Sequence, residues 1–254
     1  MAPSDADSAG PRGTAAPSRT VGAPSESGGT GLAAGATRGG TVIPRTPRWD
    51  LLIVGGGLVV FGLTVHGGAG ARMVALAGLA AAGWSMSRSL HPATAAAGLL
   101  GFLPWRGRAV ARWSAGAVVA GCLLGFWYRW WTDQPAMPAG LRPSAALAAL
   151  IGVMEELVYR GYVQGRLRPL GAVAAPMLAS GLHTAYKAAL FAFPPHPEGR
   201  VDLLALAAFT FVFSAFFGLL RERSGTVWPC LAVHAAFDLL AYGDSLTLPW
   251  WVWH

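Results

Sequence analysis

Two neighbouring carboxylic acids, Glu155 and Glu156, interrupt an apolar stretch from Ala145 to Val163, and Arg160 follows four residues after the second. Two later apolar stretches carry His183, then His234 with Asp238 four residues on. A charged side chain in a bilayer costs at least ~2.5–3.5 kcal/mol on the lenient scales, so such groups need a reason to persist. The chemistry these types support is hydrolysis. A carboxylate beside an imidazole orients and deprotonates a water. A second imidazole backed by a carboxylate stabilises an oxyanion or helps to hold a metal.

Helical geometry gives each group a direction. Glu156 and Arg160 share one face, with the acid on the N-terminal side, as an ion pair prefers. Glu155 points about 100° away on a 3.6-residue turn, which leaves it unpaired. His234 and Asp238 stack on one face, and His183 and Lys187 have the same spacing. Measured from Arg166, Gly171 and Thr226 as the ends of three helices, depths agree. At ~1.5 Å per residue, Glu155 lies roughly 16 Å in, His183 roughly 18 Å and His234 roughly 12 Å. An acid and two imidazoles on separate helices are therefore expected to meet at one site. Read singly, each group has a plainer meaning. Glu156 with Arg160 reads as a structural ion pair, and His183 alone as a satisfied core histidine. Lys187 reads as a snorkelling or paired cation. Phe209, Phe211, Phe213, Phe216 and Phe217 read as lipid-facing or packing side chains.

The elements that must position these groups are membrane helices. The chain has 254 residues, 54% of them hydrophobic and only 12% charged. Soluble domains carry about 25% charged residues. Apolar runs fall at 51–66, 72–87, 109–131, 144–165, 171–192, 201–220 and 226–243, and a bilayer crossing needs roughly 20 residues. The shorter 92–103 segment either dips in and returns or forms an eighth helix. The predicted fold class is thus all-α, a polytopic bundle of about seven or eight transmembrane helices. Residues 1–46 are rich in Ala, Gly, Ser, Pro and Thr and are expected to form a disordered cytoplasmic tail; residues 47–254 form the membrane domain, with its motif-bearing core at 144–243.

The net charge of +7 is carried by arginine, with Lys187 the only lysine. Arg88, Arg106, Arg108, Arg112, Arg166, Arg168, Arg221 and Arg223 fall on one side of this layout, which the positive-inside rule makes cytoplasmic. Arg72, Arg129, Arg142 and Arg200 fall on the other. Trp130, Trp131, Trp250, Trp251 and Trp253 read as interfacial anchors. The basic balance serves topology and lipid headgroups; no aromatic-basic platform for nucleic acid is present. Cys122 and Cys230 both lie in apolar runs, which argues against a disulfide framework or a cysteine-metal site.

The order of motifs resembles a known family. Glu155-Glu156-x-x-x-Arg160, then His183, then Gly225-Thr226-Val227-Trp228-Pro229 leading to His234-x-x-x-Asp238, is similar to the CAAX prenyl endopeptidase and bacteriocin-processing family, CPBP or Abi. The resemblance covers about residues 144–243 and implies a membrane endopeptidase working through activated water on a peptide or lipidated protein tail. It assigns Glu155 as general base and His183 as the group that orients the water. It gives His234 and Asp238 the oxyanion, and it gives Glu156 and Arg160 the shape of the motif. A divalent metal such as zinc is a candidate cofactor on this resemblance, with Glu155, His183 and His234 as candidate ligands, although no His-Glu-x-x-His occurs. Two positions depart from the pattern: Ala179 stands where Phe is usual, and Asp238 where Asn is usual. Two other functions fit the same residues. One is a non-catalytic immunity or scaffold protein. The other is a small transporter whose Glu155, His183 and His234 relay protons.

Overall fold

The computed structural model describes residues 49–91, 93–103, 107–193 and 202–244. The chain divides into two units, Met1–Arg45 and Thr46–His254, and all the described residues belong to the second. The expected tail, the expected Trp250, Trp251 and Trp253 anchors, and Arg106 and Arg200 lie outside the described residues.

Every described element is helical: α1 (Trp49–Thr64), α2 (Ala69–Ser89), α3 (Ala93–Leu100), α4 (Gly107–Trp131), α5 (Pro143–Glu156), α6 (Gln164–Leu167), α7 (Ala174–Ala192), α8 (Leu203–Ser224) and α9 (Trp228–Ala241). The expected apolar runs coincide with helices to within a few residues. Local signals set the ends. Pro143 opens α5, where a missing N–H costs nothing. Asp202 caps α8, its Oδ1 accepting from the Leu204 and Ala205 amides at 2.9 and 3.0 Å. Gly225, at φ +72°, closes α8 in the left-handed region that glycine reaches without strain.

Among the described residues two helices, α4 and α8, are long and apolar enough to cross a membrane, with mean hydropathies of 1.5 and 2.4. Both leave large apolar side chains uncovered, among them Trp113, Val119 and Leu123 on α4 and Val212 and Phe216 on α8. Shorter apolar helices, α1 and α9, lie within the same unit.

Small residues let the helices touch backbone to backbone, as membrane helices do in the absence of a strong hydrophobic drive. Gly57 of α1 faces the Gly78 carbonyl of α2. Gly121 of α4 meets α9 so closely that an added Cβ would lie 2.9 Å from the Ala236 Cβ and 3.1 Å from the Phe237 amide nitrogen. Gly121→Leu is therefore expected to prise α4 from α9 and lower stability by about 1–3 kcal/mol or more. A thermal melt of the purified protein in detergent reads this, with Gly116→Leu as control, since nothing lies within 4 Å of a Cβ there.

The expected single α-helix over 144–165 is corrected by the structure. After Glu156 the backbone widens into a π turn, Leu157–Val163, before α6. The Gln164 amide donates to the Tyr159 carbonyl, five residues back. Residues Tyr159 to Val163 are all buried, which one face of a surface helix cannot achieve. Tyr159, Tyr162 and Val163 share a core with Leu51 and Val54 of α1 and Ala175 and Ala179 of α7. The widened turn thus lies inside the bundle, and its rise departs from the 1.5 Å per residue assumed in the depth reading.

The 92–103 segment is the short α3 followed by a turn. Gly101 sits at φ +82°, and its carbonyl accepts from the Val227 amide at 2.9 Å and the Thr226 hydroxyl at 2.8 Å. Arg221 donates to the Leu99 carbonyl at 2.8 Å. These bonds tie α3 to the α8–α9 corner. At the opposite loop, buried Arg129 donates to Asp244 at 2.9 Å and to the Pro135 carbonyl at 2.6 Å. The Ala139 amide bonds to the same carboxylate at 2.6 Å, and first this amide, then Arg129, hold the Asp244 carboxyl below its usual range. Asp244 is a loop anchor.

Candidate functional site

Three helices deliver the polar groups. The last turn of α5 carries Glu155 and Glu156, α7 carries His183 and Lys187, and α9 carries His234 and Asp238. All line or adjoin one cavity of about 690 Å³, whose wall includes Glu155, Arg160, His183, Lys187, His234 and Asp238. Glu155, Glu156, Arg160, His183 and Asp238 are buried.

The glutamates divide the site into two halves. Glu155 Oε2 lies 3.4 Å from His183 Nε2, and Glu155 Oε1 lies 2.6 Å from Lys187 Nζ. Glu156 Oε2 lies 3.4 Å from Arg160 Nε, and Glu156 Oε1 lies 3.0 Å from His234 Nδ1. The other imidazole nitrogen of His234, Nε2, is 3.7 Å from Asp238 Oδ2. His234 therefore bridges a buried carboxylate and one at the cavity wall.

The His183 ring is fixed on several sides. Tyr159, from the π turn, stacks on it with centroids 4.3 Å apart and planes 20° from parallel. Its Nδ1 shares a 2.7 Å hydrogen bond with the Ser214 hydroxyl of α8. Ala179, the small residue one turn before His183, is fully buried in the same cluster as Tyr159 and Tyr162. The face of His183 is thus covered by tyrosine from a neighbouring element. Gly152, one turn before Glu155 and Glu156, makes room for the second half. A Cβ there would come within 2.8 Å of the His234 ring and collide with Asp238.

The structure brings together every residue expected at the site, with two corrections. Glu155 is not unpaired, because Lys187, the only lysine, reaches across from α7. His234 does not join Glu155 and His183 but turns to Glu156. Of the phenylalanines expected to face lipid or to pack, Phe209 and Phe213 pack with Trp127 and Trp131 on the cavity wall, Phe209 lying 5.0 Å from Trp131 and 5.7 Å from Trp127. Phe217 is buried beside His234 at 5.8 Å, whereas Phe211 and Phe216 stay exposed. Ser214 escaped the sequence reading, since one serine in an apolar helix carries no spacing signal. Among the described residues no group of three or more His, Cys, Asp and Glu side chains is arranged to hold a metal ion.

A zwitterionic cluster of two carboxylate–imidazole pairs and two cations, opening on an aromatic-walled cavity, can move protons and polarise a carbonyl. Comparison with known proteins agrees in kind. No curated protein and no solved structure matches the chain. Residues 139–240 match the family model described as Rce1-like, type II CAAX prenyl endopeptidase Rce1-like. The matched segment holds both glutamates, Arg160, both histidines and Asp238. Together with the apolar helices, the match points to a membrane protein, and this segment, under half of the chain, is similar to the type II CAAX prenyl endopeptidases, a family of proteases.

Proposed function

We propose that the chain is a multi-pass membrane endopeptidase, with its N-terminus in the cytoplasm, that hydrolyses a peptide bond in a membrane-associated peptide or lipidated protein tail. The observation that carries this reading is the approach of Glu155 to His183, at 3.4 Å, on the wall of a cavity that His234 and Asp238 also line.

Each group has a step. A water between Glu155 and His183 gives its proton to the Glu155 carboxylate as its oxygen attacks the scissile carbonyl. The new C–O bond leaves negative charge on the former carbonyl oxygen, and the His234 Nε2 N–H donates to it. Collapse breaks the C–N bond, and the proton on Glu155 passes to the departing amine. Glu156 accepts from His234 Nδ1 and Asp238 lies by Nε2, so the ring acts as an imidazolium with a proton on each nitrogen, the Nε2 proton facing the cavity. Lys187 offsets the cost of a carboxylate in an apolar interior. The aromatic wall of Trp127, Trp131, Phe209 and Phe213 offers the apolar part of a substrate a surface.

No step passes through a metal, because the residues do not fit one. The Lys187 ammonium lies 2.6 Å from the Glu155 carboxylate that would have to ligate it, and His234 turns its Nδ1 to Glu156. Zinc added to the purified protein is expected to leave cleavage without stimulation.

Reconstitution separates this reading from its rivals. Purified protein in vesicles, given membrane peptides and followed by mass spectrometry and an internal pH dye, is expected to produce cleavage without proton flux. Proton-coupled flux without cleavage would identify a transporter. Neither signal, with tolerance of Glu155 loss, would identify a scaffold.

A further inference from the structure

The proposed reaction requires His183 to present a chosen nitrogen to the water, and its Nε2 makes no hydrogen bond to α5 or α7 that fixes the choice. Glu155 faces Nε2, and an imidazole is able to meet it either as N–H donor or as bare acceptor. A bare Nε2 at 3.4 Å would set its lone pair against an anionic oxygen. The other ring nitrogen decides the matter, since the hydrogen bond made by one nitrogen fixes the proton on the other. At Nδ1 the partner is Ser214 Oγ at 2.7 Å, with His183 4% and Ser214 2% exposed. Stacking on Tyr159 fixes the ring plane.

We propose that Ser214 is a positioning residue: its hydroxyl donates to His183 Nδ1 and so holds the imidazole as the Nε2–H tautomer. The Nε2–H then donates to the water oxygen or to Glu155, which leaves Glu155 alone to accept the water proton. Ser214 borders the same cavity, but its hydroxyl is turned to His183 and acts through it. The inference rests on the reading in which Glu155 is the base, and α8 thereby joins α5, α7 and α9 in building the site.

The test uses the full chain, labelled with ¹⁵N-histidine in detergent micelles. Long-range proton–nitrogen correlations are expected to show His183 with a protonated Nε2 and a bare Nδ1, assigned by loss of the signals in His183→Gln. Ser214→Ala should lose this preference, and Ser214→Thr should keep it. On cleavage, Ser214→Ala should lower kcat by roughly 10–100-fold, as loss of an outer partner of a functional imidazole does, with KM unchanged and Thr restoring the rate. A protonated Nδ1 in the unaltered protein, or a tautomer that Ser214→Ala leaves in place, overturns the proposal. The spectra report on the tautomer whether or not the protein cleaves peptides. A failed cleavage assay with the expected spectra therefore counts against the endopeptidase reading alone.

Discussion

Glu155→Gln leaves a folded protein that no longer cleaves. The amide keeps the size of the side chain but cannot take a proton from water, so the loss should exceed the 10²–10⁴-fold typical of one general base, because Glu155 also returns that proton to the amine. His183→Ala should fall by a similar factor, and the double variant should be little worse than either single one, as members of one catalytic unit are non-additive. The measurement is turnover of a fluorogenic membrane peptide, with gel filtration and melting temperature as folding controls. Glu155→Gln also leaves the Lys187 ammonium without its anionic partner, so a modest fall in melting temperature is expected. Cleavage that survives both single substitutions ends the proposed mechanism.

The second large effect falls on stability. Glu156, the last residue of α5, and Arg160, in the widened turn, are both fully buried and lie against each other. Removing one member of a buried pair strands the other charge and costs about 3–5 kcal/mol. Arg160→Met is expected to lower the melting temperature and the yield of membrane-inserted protein far more than Glu155→Gln does. Changing both partners, Glu156→Met with Arg160→Met, should recover part of the stability, since no charge is then stranded. It should not recover activity, because His234 loses the carboxylate that holds its Nδ1. If the double variant melts lower than Arg160→Met, the pair is not the source of the loss.

Much of this was legible in the residues. Hydropathy located the helices because each apolar run is bounded by turn chemistry, such as Pro143, Asp202 and Gly225. The cost of charge in an apolar run singled out Glu155, Glu156, His183, His234 and Asp238, and all five meet in the structure. Pairing between helices was harder to read. Four-residue spacing found the Glu156–Arg160 and His234–Asp238 neighbours, which lie within one helix. It could not find Lys187 against Glu155 or His234 against Glu156, because those contacts depend on how rods are rotated about their axes. Ser214 was invisible for the same reason. The π turn left no periodic trace, since one extra residue in a buried turn changes the hydrogen-bond register without changing composition.

That extra residue has a structural consequence. Within the widened turn Arg160 reaches back to Glu156, whereas Tyr162 bonds to Asp50 of α1 at 2.8 Å and Gln164 bonds to the Gly218 carbonyl of α8 at 2.9 Å. In a regular coil each residue advances the azimuth by about 100°. An extra residue in a regular coil would swing everything downstream by about that angle and uncouple Gln164 from α8; the wide turn takes it up locally instead. The widening acts as a phase shifter, letting a single rod aim its acids at the cavity while its far end keeps its grip on two other helices.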